Sequence, residues 1–138
     1  MRIAVIDGKG GGIGKALVEK IRVEFPTIEI IVLGTNSRAT ENMYKAGATD
    51  GASGENAIVV NAQGVDIIVG PIAILSANSM LGELTPKMAE AIGSSKAYKV
   101  LIPLNRCNID VVSVAGKSLT EHIDNAVIAI RDRLANSK

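Results

Sequence analysis

The chain has 138 residues, which suits one domain built around one hydrophobic core. Its 15 basic and 14 acidic residues give a formal net charge of +1, which excludes the strongly positive field expected of a nucleic-acid or anionic-lipid binder. No apolar run approaches the ~20 residues of a membrane-spanning helix. With a single cysteine, Cys107, and no leader-like start, we expect a cytoplasmic protein with no membrane or nucleic-acid partner.

The core must be packed by aliphatic side chains, because 47% of the residues are hydrophobic but only 2% are aromatic. This composition is typical of buried parallel strands covered by helices, and the apolar spacing predicts that the two alternate. The predicted strands cover residues 2–7, 28–34, 65–70, 98–105 and 109–114. The predicted helices cover residues 13–24, 37–45, 86–95 and the segment after Ser118.

Residue pairs typical of helix N-termini precede the last two helices. Thr85 followed by Pro86 predicts an N-cap and a first helical turn. Ser118 and Glu121, within SLTE, predict a capping box.

Two segments remain open in the sequence. Residues 48–54 are compatible with a short strand or with a loop. Residues 55–63 fit both strand and helix periods, and Gly64 directly after them favours the helix.

These elements predict an α/β fold with three layers and a mostly parallel sheet of five or six strands. Only RCN separates residues 98–105 from residues 109–114, which is too short for a parallel crossover. We therefore expect the last strand to lie antiparallel at the edge of the sheet. Residues 1–138 are predicted to form a single nucleotide-binding domain.

The glycine-rich stretch GKGGGIG joins the first strand to the first helix. Such a loop presents unpaired amides and the positive end of a helix dipole to one point, which favours phosphate. The spacing GxGxxG does not fit, whereas GxxxGxG fits at Gly8, Gly12 and Gly14. The alternative is that the glycines only make a tight turn. The predicted cofactor-binding residues of this loop are Gly8, Lys9, Gly10, Gly11, Gly12, Ile13 and Gly14.

Asp7 lies directly before this loop. Its carboxylate would repel a phosphate unless it were turned away, capped, or offset by Lys9 and Lys15.

The loop resembles two families of nucleotide-binding proteins. GKGGGIG is similar to the cofactor loop of short-chain dehydrogenases/reductases, but their TyrxxxLys pair is missing, since Ala48 follows Tyr44 at that spacing and Ile102 follows Tyr98. The stretch also looks like the deviant Walker loop of ParA and MinD type ATPases. Ala16 stands where those proteins need Ser or Thr for magnesium, so metal-dependent phosphoryl transfer is not expected.

Polar residues follow the other predicted strands, at the edge where ligands of open parallel sheets lie. Thr35, Asn36, Ser37 and Arg38 replace the acid that usually binds the ribose of NAD, which favours NADP. The alternative is that Asn36 or Ser37 caps a helix. Gly70 and Pro71 end the middle strand and complete the predicted cofactor site. The predicted substrate-binding residues are Asn78, Ser79, Asn105 and Arg106.

The sequence contains no recognisable catalytic residue and no metal site. Cys107 lacks a visible partner and is interpreted as a small hydrophobic thiol, while the single histidine, His122, is expected on a helix surface. One Cys and one His are too few for zinc.

Over nearly its whole length the chain resembles an uncharacterised family of short Rossmann-like bacterial proteins, recorded as a domain of unknown function. The segments that carry this resemblance include IDGKGGGIGKALVEK, LGTNSRAT and GPIAILSANSMLGELTPKMAEAI. More distantly, the run from GP to LIPLN is similar in layout to the phospholactate transferase and gluconeogenesis-factor group, whose members bind nucleotide-linked ligands. The first resemblance implies a stand-alone Rossmann-like domain.

Three functional hypotheses follow. The leading one is a homodimeric protein that binds a dinucleotide, NADP before NAD, with pyrophosphate on residues 8–15 and the adenosine ribose near residues 35–38. The second is an enzyme acting on a nucleotide-linked or phosphorylated metabolite. The third is a non-catalytic scaffold whose glycine turn is structural.

Overall fold

The structure is a computed structural model that describes residues 1–104, 108–112 and 116–137. Helices alternate with strands along the chain. The strands are β1 (Arg2–Asp7), β2 (Glu29–Gly34), β3 (Asp50–Ser53), β4 (Ile67–Pro71) and β5 (Tyr98–Ile102). The helices are α1 (Gly12–Glu24), α2 (Ser37–Lys45), α3 (Glu55–Asn61), α4 (Pro86–Ser94) and α5 (Leu119–Asn136), with a short 3-10 helix at Ile72–Leu75.

The five strands form one parallel sheet in the order β3-β2-β1-β4-β5. The predicted α/β class with a three-layer, Rossmann-like arrangement is confirmed. The predicted antiparallel edge strand over residues 109–114 is not seen. Residues 109–112 are not in a strand, and residues 113 and 114 lie outside the described residues. β5 ends at Ile102, earlier than predicted, and α5 is the next described helix or strand.

Side chains of each strand alternate between two cores, because successive residues of a strand point to opposite faces. Ile3 and Val5 of β1 pack with α1, α2 and α5, whereas Ala4 and Ile6 pack with α3 and α4. All four side chains are fully buried. The central strands β1, β2 and β4 are thus covered on both faces, which explains why they are almost continuously apolar.

Helix starts follow the predicted capping chemistry. The hydroxyl of Thr85 accepts a hydrogen bond from the Met88 amide at 3.2 Å, and Pro86 begins α4. Ser118 and Glu121 form the predicted capping box of α5. The two open segments are resolved as a short strand, β3, and a helix, α3.

His122 differs from its expected place on the helix surface. It is only 8% exposed, on α5 beside the buried Ile123. α5 packs against β5, and His122 lies beside residues of that strand, so a residue that the capping pattern alone would leave exposed is covered.

The strand order creates a crevice between β1 and β4, because the chain builds outward from β1 through β2 to β3 and then returns to the other side of β1. Ligands of open α/β sheets bind at this type of position, outside the carboxyl ends of the strands. Gly70 of β4 lies close beside β1 here. A Cβ at Gly70 would collide with the Ile6 carbonyl oxygen and would lie 3.2 Å from Ile74 Cδ1.

We predict that Gly70→Ala destabilises the fold by about 1–3 kcal/mol, because the collision is with strand backbone that cannot rotate away. Urea or thermal unfolding followed by circular dichroism measures this. Gly93→Ala in α4 is the control, since its Cβ would meet nothing within 4 Å. Equal stability of Gly70→Ala and wild type would contradict this close approach of β4 to β1.

Candidate functional site

A cleft of about 980 Å³ opens at the carboxyl ends of β1 and β4, at the crevice of the sheet. One side is the glycine loop, and the other is the segment after β4. Its described lining consists of Asp7, Gly8, Lys9, Gly10, Gly11, Gly12, Ile13, Pro71, Ala73, Ser76, Ala77, Asn78, Ser79, Met80, Leu81, Leu104 and Leu119.

Asp7 at the end of β1 holds the glycine loop from within. Its carboxylate accepts hydrogen bonds from the Gly8 amide at 2.7 Å and the Gly14 amide at 2.8 Å, and the residue is 5% exposed. Gly14 is the third residue of α1, so the carboxylate does what a capping side chain usually does. Asp7 is therefore capped, one of the conditions under which its charge is compatible with a nearby phosphate.

The carbonyl groups of the loop are directed to protein partners. The Asn36 side-chain amide donates to the Lys9 carbonyl at 2.9 Å, and the Asn42 amide donates to the Gly10 carbonyl at 2.8 Å. The Gly8 carbonyl accepts from the Gly11 amide at 2.9 Å. These contacts fix the orientation of the peptide groups between β1 and α1.

Three amides of the loop, those of Gly10, Gly12 and Ile13, donate no hydrogen bond to another residue in the described part of the chain. All three residues line the cleft. They lie at the start of α1, where the helix dipole adds partial positive charge. The arrangement is suited to an anion.

The glycines of the loop fall into two groups. Gly8, Gly11 and Gly14 are buried, and a Cβ at each would collide with a neighbour; Gly11 also has φ +70 and lies against the Ala39 carbonyl. A Cβ at Gly10 or Gly12, in contrast, would meet nothing within 4 Å. Turn geometry and packing explain the first three glycines but not the last two.

The opposite wall of the cleft is a non-repetitive segment after β4. Asn78, Met80 and Leu81 all have positive φ, between 56 and 66, a conformation that side-chain-bearing residues rarely adopt. The Ser79 hydroxyl donates to the Ala73 carbonyl at 2.7 Å, and the Asn78 amide donates to the Leu84 carbonyl at 2.7 Å. These contacts keep the segment folded onto the sheet.

This wall gives the cleft an apolar side. Met80 and Leu81 from the segment after β4 lie there with Leu104, which follows β5, and Leu119, the first residue of α5. Leu81 is 97% exposed. The described lining of the cleft thus contains both loop amides and aliphatic side chains.

Glu83 ties this wall to the end of β2. One oxygen, Oε1, accepts from the Thr35 hydroxyl at 2.5 Å, the Asn36 side-chain amide at 2.8 Å and the Lys9 amide at 3.0 Å. Donation by Thr35, and then by the Lys9 amide, holds the pKa of the Glu83 carboxyl below its usual value. The carboxylate therefore stands where the sequence predicts a receptor for a 2'-phosphate.

The structure brings together part of the predicted site. Gly8 to Ile13, Pro71, Asn78 and Ser79 line one cleft. Gly14 and Gly70 are buried behind it, and Thr35 to Arg38 do not contribute to its described lining. Asn36 is the N-cap of α2, because its Oδ1 accepts from the Ala39 amide at 2.8 Å, which is the capping alternative for this segment. Asn105, Arg106 and Cys107 lie outside the described residues.

Sequence reasoning missed Glu83 and the apolar wall. Met80 and Leu81 belong to one segment, and Leu104 and Leu119 belong to two others, so no sequence pattern connects the four. The only signal for Glu83 is its presence in a long irregular segment, which indicates function without identifying a residue.

Neither a metal-binding cluster nor a membrane-spanning helix occurs among the described residues. No group of three or more His, Cys, Asp or Glu residues among them is placed to hold a metal ion. Among them, too, no helix has the length and apolar character needed to cross a membrane.

We predict a pH-dependent contribution of Glu83 to stability. Because its pKa in the folded state is lowered, the ionised carboxylate stabilises the fold at neutral pH, and this contribution decreases as the pH falls below 4.5 toward the folded-state pKa. Urea unfolding of wild type and Glu83→Gln between pH 7 and about pH 3.5 measures it. The advantage of wild type should shrink with acid, whereas Glu90→Gln on the exposed face of α4 should show no such trend. A constant difference would contradict the lowered pKa.

The chain is similar to known proteins in sequence and in fold. A search of the curated proteins finds no match. Among solved structures, the dodecameric FMN-dependent UbiX-like decarboxylase from Escherichia coli O157:H7 is similar, with 12% sequence identity, a TM-score of 0.49, and coverage of 98% of this chain and 94% of that one. The family model described as Domain of unknown function (DUF3842) matches residues 2–135. The chain belongs to this domain-of-unknown-function family, as its full-length sequence resemblance predicts.

Proposed function

We propose that the chain binds a nucleotide-type ligand in the cleft, with a phosphate group on the amides of Gly10, Gly12 and Ile13. The observation that carries the proposal is that Gly10 and Gly12 have open space where a Cβ would lie, although neither has a positive φ. Backbone without side chains allows a ligand to approach closely. A purely structural turn gives no reason for glycine at these two positions.

The charges around the loop support an anionic group. The start of α1 supplies partial positive charge, and Lys9 lies in the cleft lining. The negative charge of Asp7 is directed to the amides of Gly8 and Gly14. A phosphate at the loop would contact amides that the carboxylate leaves available.

The remainder of the cleft suits an apolar ring. Met80, Leu81, Leu104 and Leu119 face the same space as the loop, and a volume of about 980 Å³ is enough for a nucleotide. Small-molecule sites commonly combine such an apolar wall with a few directed polar groups. Phosphate at the loop and a ring against the leucines would use both sides.

The proposal is one of binding rather than catalysis. Among the described lining residues, the ionisable side chains are those of Asp7 and Lys9. Asp7 already accepts two amide hydrogen bonds, which makes it a poor base, and the hydroxyl of Ser79 donates to a carbonyl. The alternative of an enzyme acting on a phosphorylated metabolite stays a prediction from the sequence.

The finer prediction, NADP before NAD, also stays a prediction from the sequence. The carboxylate of Glu83 at Thr35 and Asn36 argues against a 2'-phosphate at that place, because two anions would repel. The predicted homodimer has its support in exposed apolar residues such as Leu81 and Val112, which are 97% and 80% exposed. Light scattering would measure the oligomeric state.

We predict that Gly12→Val weakens ligand binding by at least about tenfold and leaves the fold intact, because the new side chain extends into the cleft. The probes are FMN, NMN, AMP, NAD, NADP and inorganic phosphate, tested by thermal shift and then by calorimetry. A ligand at 100 times its Kd stabilises the native state by about 2.7 kcal/mol, which is readily detected.

The matched control for this prediction is Gly93→Val, the same change in α4 at a position that also has open space. It should bind like wild type. Absence of a shift with any probe, or equal affinities of Gly12→Val and Gly93→Val, would favour the scaffold hypothesis over binding at the loop.

A further inference from the structure

We propose that Glu83 is a specificity-determining residue that closes the β2 side of the cleft, so that the site takes a mononucleotide and excludes a dinucleotide. This inference rests on the proposed function of the glycine loop and adds the ligand class. It follows from where the second half of a dinucleotide would have to lie.

A dinucleotide on a fold of this type extends in two directions from the loop. One half enters the crevice between β1 and β4, and the other crosses the start of α1 to reach the end of β2, where its ribose is bound. In this chain the end of β2 leads into Thr35 and Asn36. Neither residue belongs to the described lining of the cleft.

Glu83 occupies that second route. Its Oε1 contacts Thr35 on one side and the Lys9 amide on the other, so the carboxylate bridges the glycine loop and the end of β2. Met80, from the same segment as Glu83, also lies between the loop and the end of β2. Its Sδ and Thr35 Oγ1 both occupy the space that a Cβ on Gly8 would need. The segment after β4 therefore passes over the place that an adenosine ribose would need.

The polar groups at the end of β2 are already used. Asn36 accepts from the Ala39 amide through Oδ1 and donates through Nδ2 to Glu83 and to the Lys9 carbonyl. The Thr35 hydroxyl donates to Glu83. A ribose or phosphate at this place would have to displace charge-assisted hydrogen bonds before making its own.

The negative charge of Glu83 also disfavours binding of a dinucleotide. A dinucleotide carries a second phosphate, and NADP a third, on the side of the loop nearest this carboxylate. Pro71, Ala73 and Leu104 also belong to the described lining of the cleft, and their side chains carry no charge. A mononucleotide with its phosphate on the loop and its ring toward these residues would not meet Glu83.

The test compares two ligand pairs in which the larger member is the smaller one extended by adenosine monophosphate: FMN with FAD, and NMN with NAD. Calorimetry gives Kd for each ligand on wild type, Glu83→Ala, Glu83→Gln and the surface control Glu90→Ala. Wild type and Glu90→Ala should bind the smaller member of at least one pair about tenfold more tightly than the larger.

Glu83→Ala should reduce the ratio of the dinucleotide Kd to the mononucleotide Kd by about tenfold, an effect of the size of one charge-assisted hydrogen bond. Glu83→Gln, which keeps the acceptor oxygen, should fall between. Thermal unfolding checks that each variant is folded, and retained mononucleotide binding shows the same for the cleft.

Three results would overturn the inference while leaving the proposed function intact. The first is wild type binding the dinucleotide of each pair as tightly as the mononucleotide. The second is a preference that Glu83→Ala does not change. The third is a loss of dinucleotide affinity in Glu83→Ala, which would make Glu83 a ribose ligand. If wild type binds none of the four ligands and no phosphate, the proposed function itself fails.

Discussion

The carboxylate of Asp7 fixes the peptide geometry on which the cleft depends. It lies at the end of the central strand, 5% exposed, and joins the first residue of the glycine loop to the third residue of α1. An unpaired carboxylate at such a place would be costly, so the two amides must stay close to it. The loop is consequently shaped before any ligand arrives. Preorganisation of this kind lowers the entropy cost of binding.

A second carboxylate, that of Glu83, also holds the glycine loop in place, by joining the Lys9 amide to Thr35 at the end of β2. Both carboxylates bind groups of the protein, and each directs its charge to backbone amides of the loop: Asp7 to Gly8 and Gly14, and Glu83 to Lys9. What remains for a ligand is the set of amides between them. Two negatively charged side chains can therefore border an anion site, because each is neutralised in part by contacts of its own.

Much of the fold could be predicted from the sequence because its signals are local. The apolar strands and the caps at Thr85 and Ser118 depend on residues within a few positions of one another. The prediction of an antiparallel edge strand was wrong, because a short connection is compatible with a hairpin but does not require one. Glu83 could not be placed, since its contact with Thr35 spans 48 residues and depends on how an irregular segment crosses the sheet. The glycine loop and the polar residues Asn78 and Ser79 of the cleft were predicted from the sequence, whereas Glu83 and the aliphatic lining were not.

The side-chain amide of Asn36 joins three parts of the molecule. It caps α2, holds the Lys9 carbonyl and contacts Glu83. A change in the segment that carries Glu83 would therefore reach the start of α2 through this one side chain. Replacement of residue 36 would remove the helix cap, the contact with the loop and the contact with Glu83 together. The position acts through its connections within the protein, since Asn36 does not contribute to the described lining of the cleft.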